Sequence, residues 1–350
     1  MARLRRVDCS SPGIRRRRRQ GKGFTYVDED GQPIDDPEIL ARISELVIPP
    51  AWEDVWICTY PMGHIQATGV DARGRKQYRY HDKWRERRDQ EKFDSMVEFA
   101  RTLPLMRGRV TRELRRDGMD RDRVMAAAVR LLDRGFFRIG GEDYAVENET
   151  YGLATMHKKH VTLDEGAIRF DYPAKSGKRR IQEVVDLEVM EIVGTLKRRR
   201  GGSPELLAYK DRGRWVDVKS EDIRAYVKQV TGGDFTAKDF RTWNATVLAA
   251  VALAVSGPAA ASTQAARKRA VTRAVKEVAH YLGNTPAVSR ASYIDPRVFD
   301  RFDARLTIEP ALSAVGGGGG DMGSLHGKVE EAVLDLIAGD ESSDAIEKVA

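Results

Sequence analysis

Near Asp89 the apolar residues of this chain stop alternating and begin to recur at helical spacing, so a single type of layer cannot serve its whole length. Before that point the pattern is one of short strands. Phe24-Thr25-Tyr26-Val27 runs into the polar turn Asp28 to Gly31, and Val55–Cys58 and His64–Thr68 are further strand candidates. One helix is expected over Asp36–Val47, stopped before Pro49-Pro50. Beyond Asp89, Asp120 is placed to cap a helix running to Arg134, with Gly135 as its stop, because Val124, Ala128, Leu131 and Leu132 share one face. Val161–Val184 alternates like strands around turns at Asp164 to Gly166 and Pro173 to Gly177. Helices resume over Leu187–Arg199, Ser220–Val230, Thr236–Val255 and Ser262–Leu282.

The expected class is therefore α+β: a small strand-rich N-terminal domain over residues 23–90 and a larger, mainly helical domain with a β-hairpin insert over residues 91–305. A basic, mobile arm (residues 1–22, with Arg15 to Arg19) precedes them. A Gly-rich linker and acidic tail (residues 306–350) follow, in which Val329, Val333, Leu336 and Ile337 suit one short amphipathic helix.

Charge follows the same division. Residues 306–350 hold two basic and nine acidic side chains, leaving 58 basic against 44 acidic before them. A basic body of this kind favours polyanions, nucleic acid before anionic membrane. The most apolar run, Val247–Val255, is too short for a bilayer and reads as a buried helix. No apolar stretch follows the N-terminal arginines, so no secretory signal is expected. Cys9 and Cys58 are too few for a disulfide scaffold, and a reducing cytosol is the natural compartment. There is neither a Walker-type glycine-lysine loop nor a carboxylate cluster arranged for Mg²⁺, so neither a nucleotide nor a metal cofactor is expected.

Five segments carry possible chemistry. In Gly74-Arg75-Lys76-Gln77-Tyr78-Arg79-Tyr80, alternation puts Lys76, Tyr78 and Tyr80 on one strand face and Gln77 and Arg79 on the other. The cations suit phosphates, and Gln77 suits an adenine edge. Ordinary β-forming tyrosines on an exposed strand account for the pattern equally well. In Phe136-Phe137-Arg138-Ile139-Gly140, the arginine follows two aromatics, and either a buried salt bridge or a phosphate clamp explains it. Lys175 sits in a hairpin turn, where a plain solvated charge is the commoner outcome. Thr236 to Asp239 resembles a capping box that puts Arg241 in the first turns of a helix. The helix dipole does not favour a cation there, so a paired anion is expected nearby, a structural ion pair being the plain competitor. Finally, a helix ends at Gly283-Asn284-Thr285-Pro286, and a Pro-started helical turn then carries Tyr293. A packed tyrosine is commoner than a nucleophile.

Taken together and in order, these strings, with Glu147 to Leu153 and Lys159-His160-Val161, resemble the type IB DNA topoisomerases, specifically the compact bacterial branch similar to the poxvirus enzyme. The resemblance covers about residues 20–300. It implies a C-shaped clamp on duplex DNA and relaxation of supercoils of either sign, by transient cleavage of one strand, without ATP or a required metal. It implies Tyr293 as the nucleophile that forms a 3′-phosphotyrosine, and Arg138 and Arg241 as the pair that neutralises the non-bridging oxygens. Lys175 is implied as the general acid. The fifth family position is usually His. Here it is Asn284, which can donate an N–H to a phosphate oxygen but cannot carry positive charge. Arg75, Gln77, Tyr78, Tyr80 and Tyr144 match positions implied to contact DNA. The implied protein is a monomer acting on duplex DNA, with no membrane partner. A tyrosine recombinase is the nearest alternative, although Lys238, Asp239 and Phe240 stand where those enzymes usually place a His. A non-enzymatic architectural DNA-binding protein is the other. The acidic tail lies outside the resemblance; a mobile competitor for DNA is one use for it.

Overall fold

The computed structural model describes residues 3–19, 21, 23–260, 263–315 and 322–349. The expected linker Gly316–Gly320 and the expected helix start at Ser262 lie outside the described residues. The chain folds as two compact units, Met1–Phe93 and Asp94–Ala350. With 12 helices and several small sheets among the described residues, it is an α+β protein.

The first unit is an antiparallel five-stranded sheet with one helix on it. Its elements are β1 (Ile14–Arg18), β2 (Phe24–Val27), α1 (Pro37–Glu45), β3 (Glu53–Ile57), β4 (Ile65–Val70) and β5 (Lys76–Tyr80), with strand order β2-β1-β3-β4-β5. α1 starts as expected, with the Asp36 carboxylate accepting from the Glu38 and Ile39 amides and Pro37 in the first turn. Ile14, Ile43, Val55, Ile57 and Ala67 form the core beneath it. The basic stretch expected to be a mobile arm instead supplies β1, paired with β2 on one side and β3 on the other. Ile14 is buried, and Arg16 donates to the carbonyls of Pro49 and Trp52 while its guanidinium lies over Phe24. The arginines hide this strand from a periodicity reading, because their aliphatic stems pack while their heads stay wet.

The second unit is helical around two small strand groups. α2 (Asp82–Leu114) leads into it, followed by α3 (Arg121–Gly135) and α4 (Glu142–Asn148). The expected insert is a three-stranded antiparallel sheet of β6 (Val161–Asp164), β7 (Ala167–Pro173) and β8 (Arg179–Val184). Next come α5 (Leu187–Arg198), a hairpin of β9 (Ala208–Asp211) and β10 (Arg214–Asp217) that the sequence reading did not anticipate, and α6 (Ser220–Thr231). α7 (Ala237–Ala260) packs against α8 (Gln264–Leu282), and the short α9 (Pro286–Ser292) and α10 (Pro296–Asp303) follow.

α3 is the axis of this unit. Asp120 caps it by accepting from the Arg123 amide, and Val124 through Val129 are almost wholly buried. Its left-handed cap is Phe136 (φ 53°) rather than a glycine, so the chain leaves the helix with two aromatic anchors. Phe137 drops against Phe170 of β7, and Phe136 stacks on Tyr281 of α8.

The acidic end is largely built in. β11 (Leu306–Thr307), α11 (Glu309–Ala314), α12 (Lys328–Ala338) and β12 (Glu347–Lys348) complete the unit, with β12 pairing back on β11. α12 uses the expected Val329, Val333, Leu336 and Ile337 as its buried face. Its Glu330 accepts from the Trp243 indole (2.7 Å) and pairs with Arg107, which also holds Asp133. That anchorage overturns the picture of a mobile tail for residues 328–338.

Candidate active site

Arg138 is aimed by what surrounds it. The two phenylalanines before it are packed away on opposite partners. The carbonyls of Arg138 and Ile139 then accept from the amides of Leu153 and Ala154 (2.8 Å each). Gly140 (φ 87°) lies so close to Gly152 that a Cβ on either would run into the other's backbone. The segment Phe136–Gly140 is thus zipped to Gly152–Ala154.

Arg241 comes from the first turns of α7. Asp239 accepts from the Thr236 amide (2.7 Å) and hydroxyl (2.9 Å), which is the expected cap. The Arg241 side chain is buried, 3 % exposed, and donates to the Phe136 carbonyl and the Leu282 carbonyl (2.5 and 3.0 Å). It therefore ties the end of α3 to the end of α8, with its Nε left unpartnered.

α8 closes on Gly283 in the left-handed region (φ 63°), and Thr285 caps α9, which opens on Pro286. Asn284 is held between these two helices. Its Oδ1 accepts from Arg138 Nη2 at 2.7 Å, and its buried Nδ2 has no partner. Tyr293 is the C-cap of α9. Its carbonyl accepts from Thr246 of α7, whose hydroxyl also receives the Asp295 amide. The Arg241 guanidinium carbon lies 5.2 Å from the centre of the half-buried Tyr293 ring.

Four of the five expected catalytic residues therefore converge, from the loop after α3, from α7, from the α8–α9 connection and from the end of α9. Lys175 follows β7 in a turn with Ser176 and Gly177 at positive φ (68° and 70°). It is exposed, and no hydrogen bond or ion pair joins it to the other four among the described residues.

The electrostatics of the cluster are lopsided. Among the described residues, neither Arg138 nor Arg241 forms an ion pair with a carboxylate, so the salt-bridge explanations of both are not what the fold contains. Burial, with the like charge of Arg138 added, pulls Arg241 down to about 10. Burial alone would push the Tyr293 phenol up. The charge of Arg241, then of Arg138 and Lys238, outweighs it and leaves the phenol below its ordinary value. Two guanidiniums without counter-ions make a site in want of an anion.

The expected DNA-contact residues fall in two places. Arg75, Gln77, Tyr78 and Tyr80 lie on or just before β5, the sheet's edge. Tyr78 and Tyr80 share a face as expected, stacked at 5.9 Å and 42 % and 37 % exposed. Gln77 and Arg75 are both held by Asp71, each donating at 2.9 Å. Hydrogen bonds from the Arg75 side chain and backbone draw Asp71 down to about 2. Tyr144 stands half exposed on α4 in the second unit.

Two participants escaped the sequence reading. Thr246, which pins Tyr293, gave no signal beyond its place on the helix of Arg241. Arg180 was seen only as a basic neighbour of Lys175. Strand alternation does put it on the face of buried Val184, an inward arginine. No group of three or more His, Cys, Asp or Glu among the described residues is placed to hold a metal ion, and no helix among them is long and apolar enough to cross a membrane.

Comparison with known proteins converges on one kind of enzyme. A family model for the eukaryotic DNA topoisomerase I catalytic core matches residues 81–307, and one for the bacterial DNA topoisomerase IB N-terminal domain matches residues 23–71. The chain is 29 % identical over 291 residues to DNA topoisomerase 1B of Acanthamoeba polyphaga mimivirus, spanning 79 % of this chain and 84 % of that one. It is 24 % identical over 270 residues to DNA topoisomerase 1B of vaccinia virus (strain Copenhagen), spanning 75 % and 79 %. DNA topoisomerase 1 of Candida albicans is 30 % identical over 159 residues, which are 45 % of this chain and 19 % of that one.

Proposed function

The chain belongs to the type IB DNA topoisomerases, and from that premise we propose that it relaxes positive and negative supercoils by cutting one strand of a duplex, letting it swivel, and resealing it. The Tyr293 oxygen attacks a backbone phosphorus, its proton passing to solvent. The bond from phosphorus to the 5′ oxygen breaks, leaving a 3′-phosphotyrosine, and the departing oxygen takes a proton from Lys175. The reverse attack reseals the strand, and the covalent ester stores the bond energy meanwhile, so the cycle needs no nucleotide.

The observation that carries this reading is a pair of guanidiniums with no carboxylate partner among the described residues: Arg241, 5.2 Å from the centre of the Tyr293 ring, and Arg138, whose charge also draws the phenol down. An unperturbed tyrosine has a pKa near 10, so forming its phenolate at pH 7 costs about 4 kcal/mol. The same two charges that favour the phenolate also favour the extra negative charge of a pentacoordinate phosphorane. Asn284 fits as the third donor. Arg138 occupies its oxygen, which fixes the amide orientation and leaves the unpartnered Nδ2 as a donor for a phosphate oxygen. In that role the fifth position works by hydrogen bonding alone and needs no proton transfer. Arg75, Gln77, Tyr78, Tyr80 and Tyr144 serve as contacts to the duplex, which the protein engages as a monomer.

A plasmid assay in EDTA without ATP tests the proposal. The wild type relaxes the plasmid and leaves a trapped adduct joined through the DNA 3′ end, whereas Tyr293→Phe does neither. Wild-type inactivity, unchanged relaxation by the mutant, or an adduct through the 5′ end overturns it. Joining of two separate duplexes would mark a recombinase instead, and binding with no adduct an architectural protein.

A further inference from the structure

Arg180 is a guanidinium beside the catalytic cluster to which the reaction above gives no task, and its donors are held on two sides. It faces inward from β8, opposite Tyr172 of β7. Its Nη2 donates to the carbonyl of Tyr281, and its Nη1 lies 2.8 Å from where a Cβ on Gly283 would stand. A side chain at position 283 would displace it, so this glycine serves a close approach as well as its left-handed cap. Arg180 Nε donates to Gln182 Oε1 (2.5 Å), and Gln182 Nε2 donates to the carbonyl of Gly135 (2.7 Å).

The topology gives this pair its meaning. Gly135 is the last residue of α3, three before Arg138. Tyr281 and Gly283 close α8, immediately before Asn284. β8 descends directly from the turn that carries Lys175. Arg180 and Gln182, bonded to each other, thus bind the Lys175 hairpin to both backbone segments that hold the phosphate-side donors. Among the described residues Lys175 itself has no bond to the cluster, so its position relative to Tyr293 depends on how β8 is held. Burial holds the Arg180 guanidinium below its ordinary value, with the buried Tyr172 pulling the other way and the charge of Arg138 adding to the fall. A cation kept there against that cost is retained for its donors.

We propose that Arg180 is a positioning residue for the general acid: it latches the Lys175 hairpin to the end of α8 so that Lys175 reaches the departing 5′ oxygen. The proposal rests on the reading of Lys175 given above. A displacement of about 1 Å at a reacting group costs on the order of 10²-fold in rate.

The test is single-turnover cleavage at a site mapped with the wild type, on a duplex with an ordinary 5′ oxygen and on one with sulfur at that bridging position. A thiolate departs without being protonated, so it relieves a defect in the general acid and no other. Arg180→Met should slow cleavage of the oxygen substrate by about 10²-fold and lose most of that defect on the sulfur substrate, in parallel with Lys175→Met. Arg241→Gln should stay slow on both. Arg180→Lys, which keeps one donor for the Tyr281 carbonyl, should recover much of the rate; if the Met variant does not fold, Arg180→Gln takes its place and should show the same sulfur-relieved defect. An unchanged rate, or an equal defect on both substrates, overturns the proposal. A Lys175→Met defect that sulfur does not relieve removes the general-acid reading itself, and this proposal with it.

Discussion

Replacing Arg241 by Lys and by Gln separates its charge from its packing. Both lose the bridge between the Phe136 and Leu282 carbonyls, but only Lys keeps a cation beside Tyr293. At the 5.2 Å separation from the ring and an effective dielectric constant of about 20, a unit positive charge favours the phenolate by about 3 kcal/mol. If cleavage requires that phenolate, Gln should cleave roughly 200-fold more slowly than Lys at pH 7. The sign with pH follows from the depressed phenol. Losing the cation raises the phenol, so the phenolate is scarce at neutral pH and recovers as pH rises. The gap between Gln and Lys should therefore hold while pH lies below the depressed phenol and narrow as pH climbs from 7 to 10 through it. The assay is single-turnover cleavage of a short duplex across that range, with melting temperature recorded for both variants. Equal rates for Lys and Gln at pH 7, or a gap that does not narrow with pH, would refute the electrostatic account of the tyrosine.

Other parts of the molecule can be tested as directly. Asn284→Asp removes the free N–H and places a carboxylate against Arg138 where a phosphate would lie, so cleavage should fall by on the order of 10²–10³-fold, more than in Asn284→Ala. A milder defect than Ala would contradict the donor role. Glu330→Ala strands the Trp243 indole and half of the Arg107 pairing. Breaking such a buried network costs about 3–5 kcal/mol, or roughly 10 °C in melting temperature. A shift within a degree or two would mean that α12 is a dispensable appendage after all. His160 is held down to about 4, mainly by burial, with His157 and Lys159 adding. Its unfolded form binds a proton near pH 6.5, so it contributes stability above that pH that is lost as pH falls toward 4. Thermal melts of His160→Gln should show a shallower decline over that window than the wild type.

Local chemistry was readable wherever a residue's role depends on its near neighbours. Asp120 caps its helix because a short acceptor reaches an amide three residues on, and Asp239 closes back on Thr236 in the same way, a reach that is written in the spacing. The break at Gly283 to Pro286 was visible for the same reason. β1 was not, since a strand of arginines has no apolar alternation and is recruited by its neighbours' open edges. The β9–β10 hairpin was missed because its short strands are held by mutual pairing rather than by a marked pattern.

The sequence by itself determined the α+β class, the change of period near Asp89, and the ordered strings that identify the family. Only the tertiary structure decided the partners of the charges. Arg138 and Asn284 are 146 positions apart, and nothing local states that the arginine meets an amide instead of a carboxylate. The inward turn of Arg180, the lack of a carboxylate partner for Arg138 and Arg241 among the described residues, and the docking of α12 through Glu330 are of the same kind. The reason is physical: periodicity reports the face on which a side chain stands, whereas a buried charge is defined by whatever distant segments the fold brings against that face.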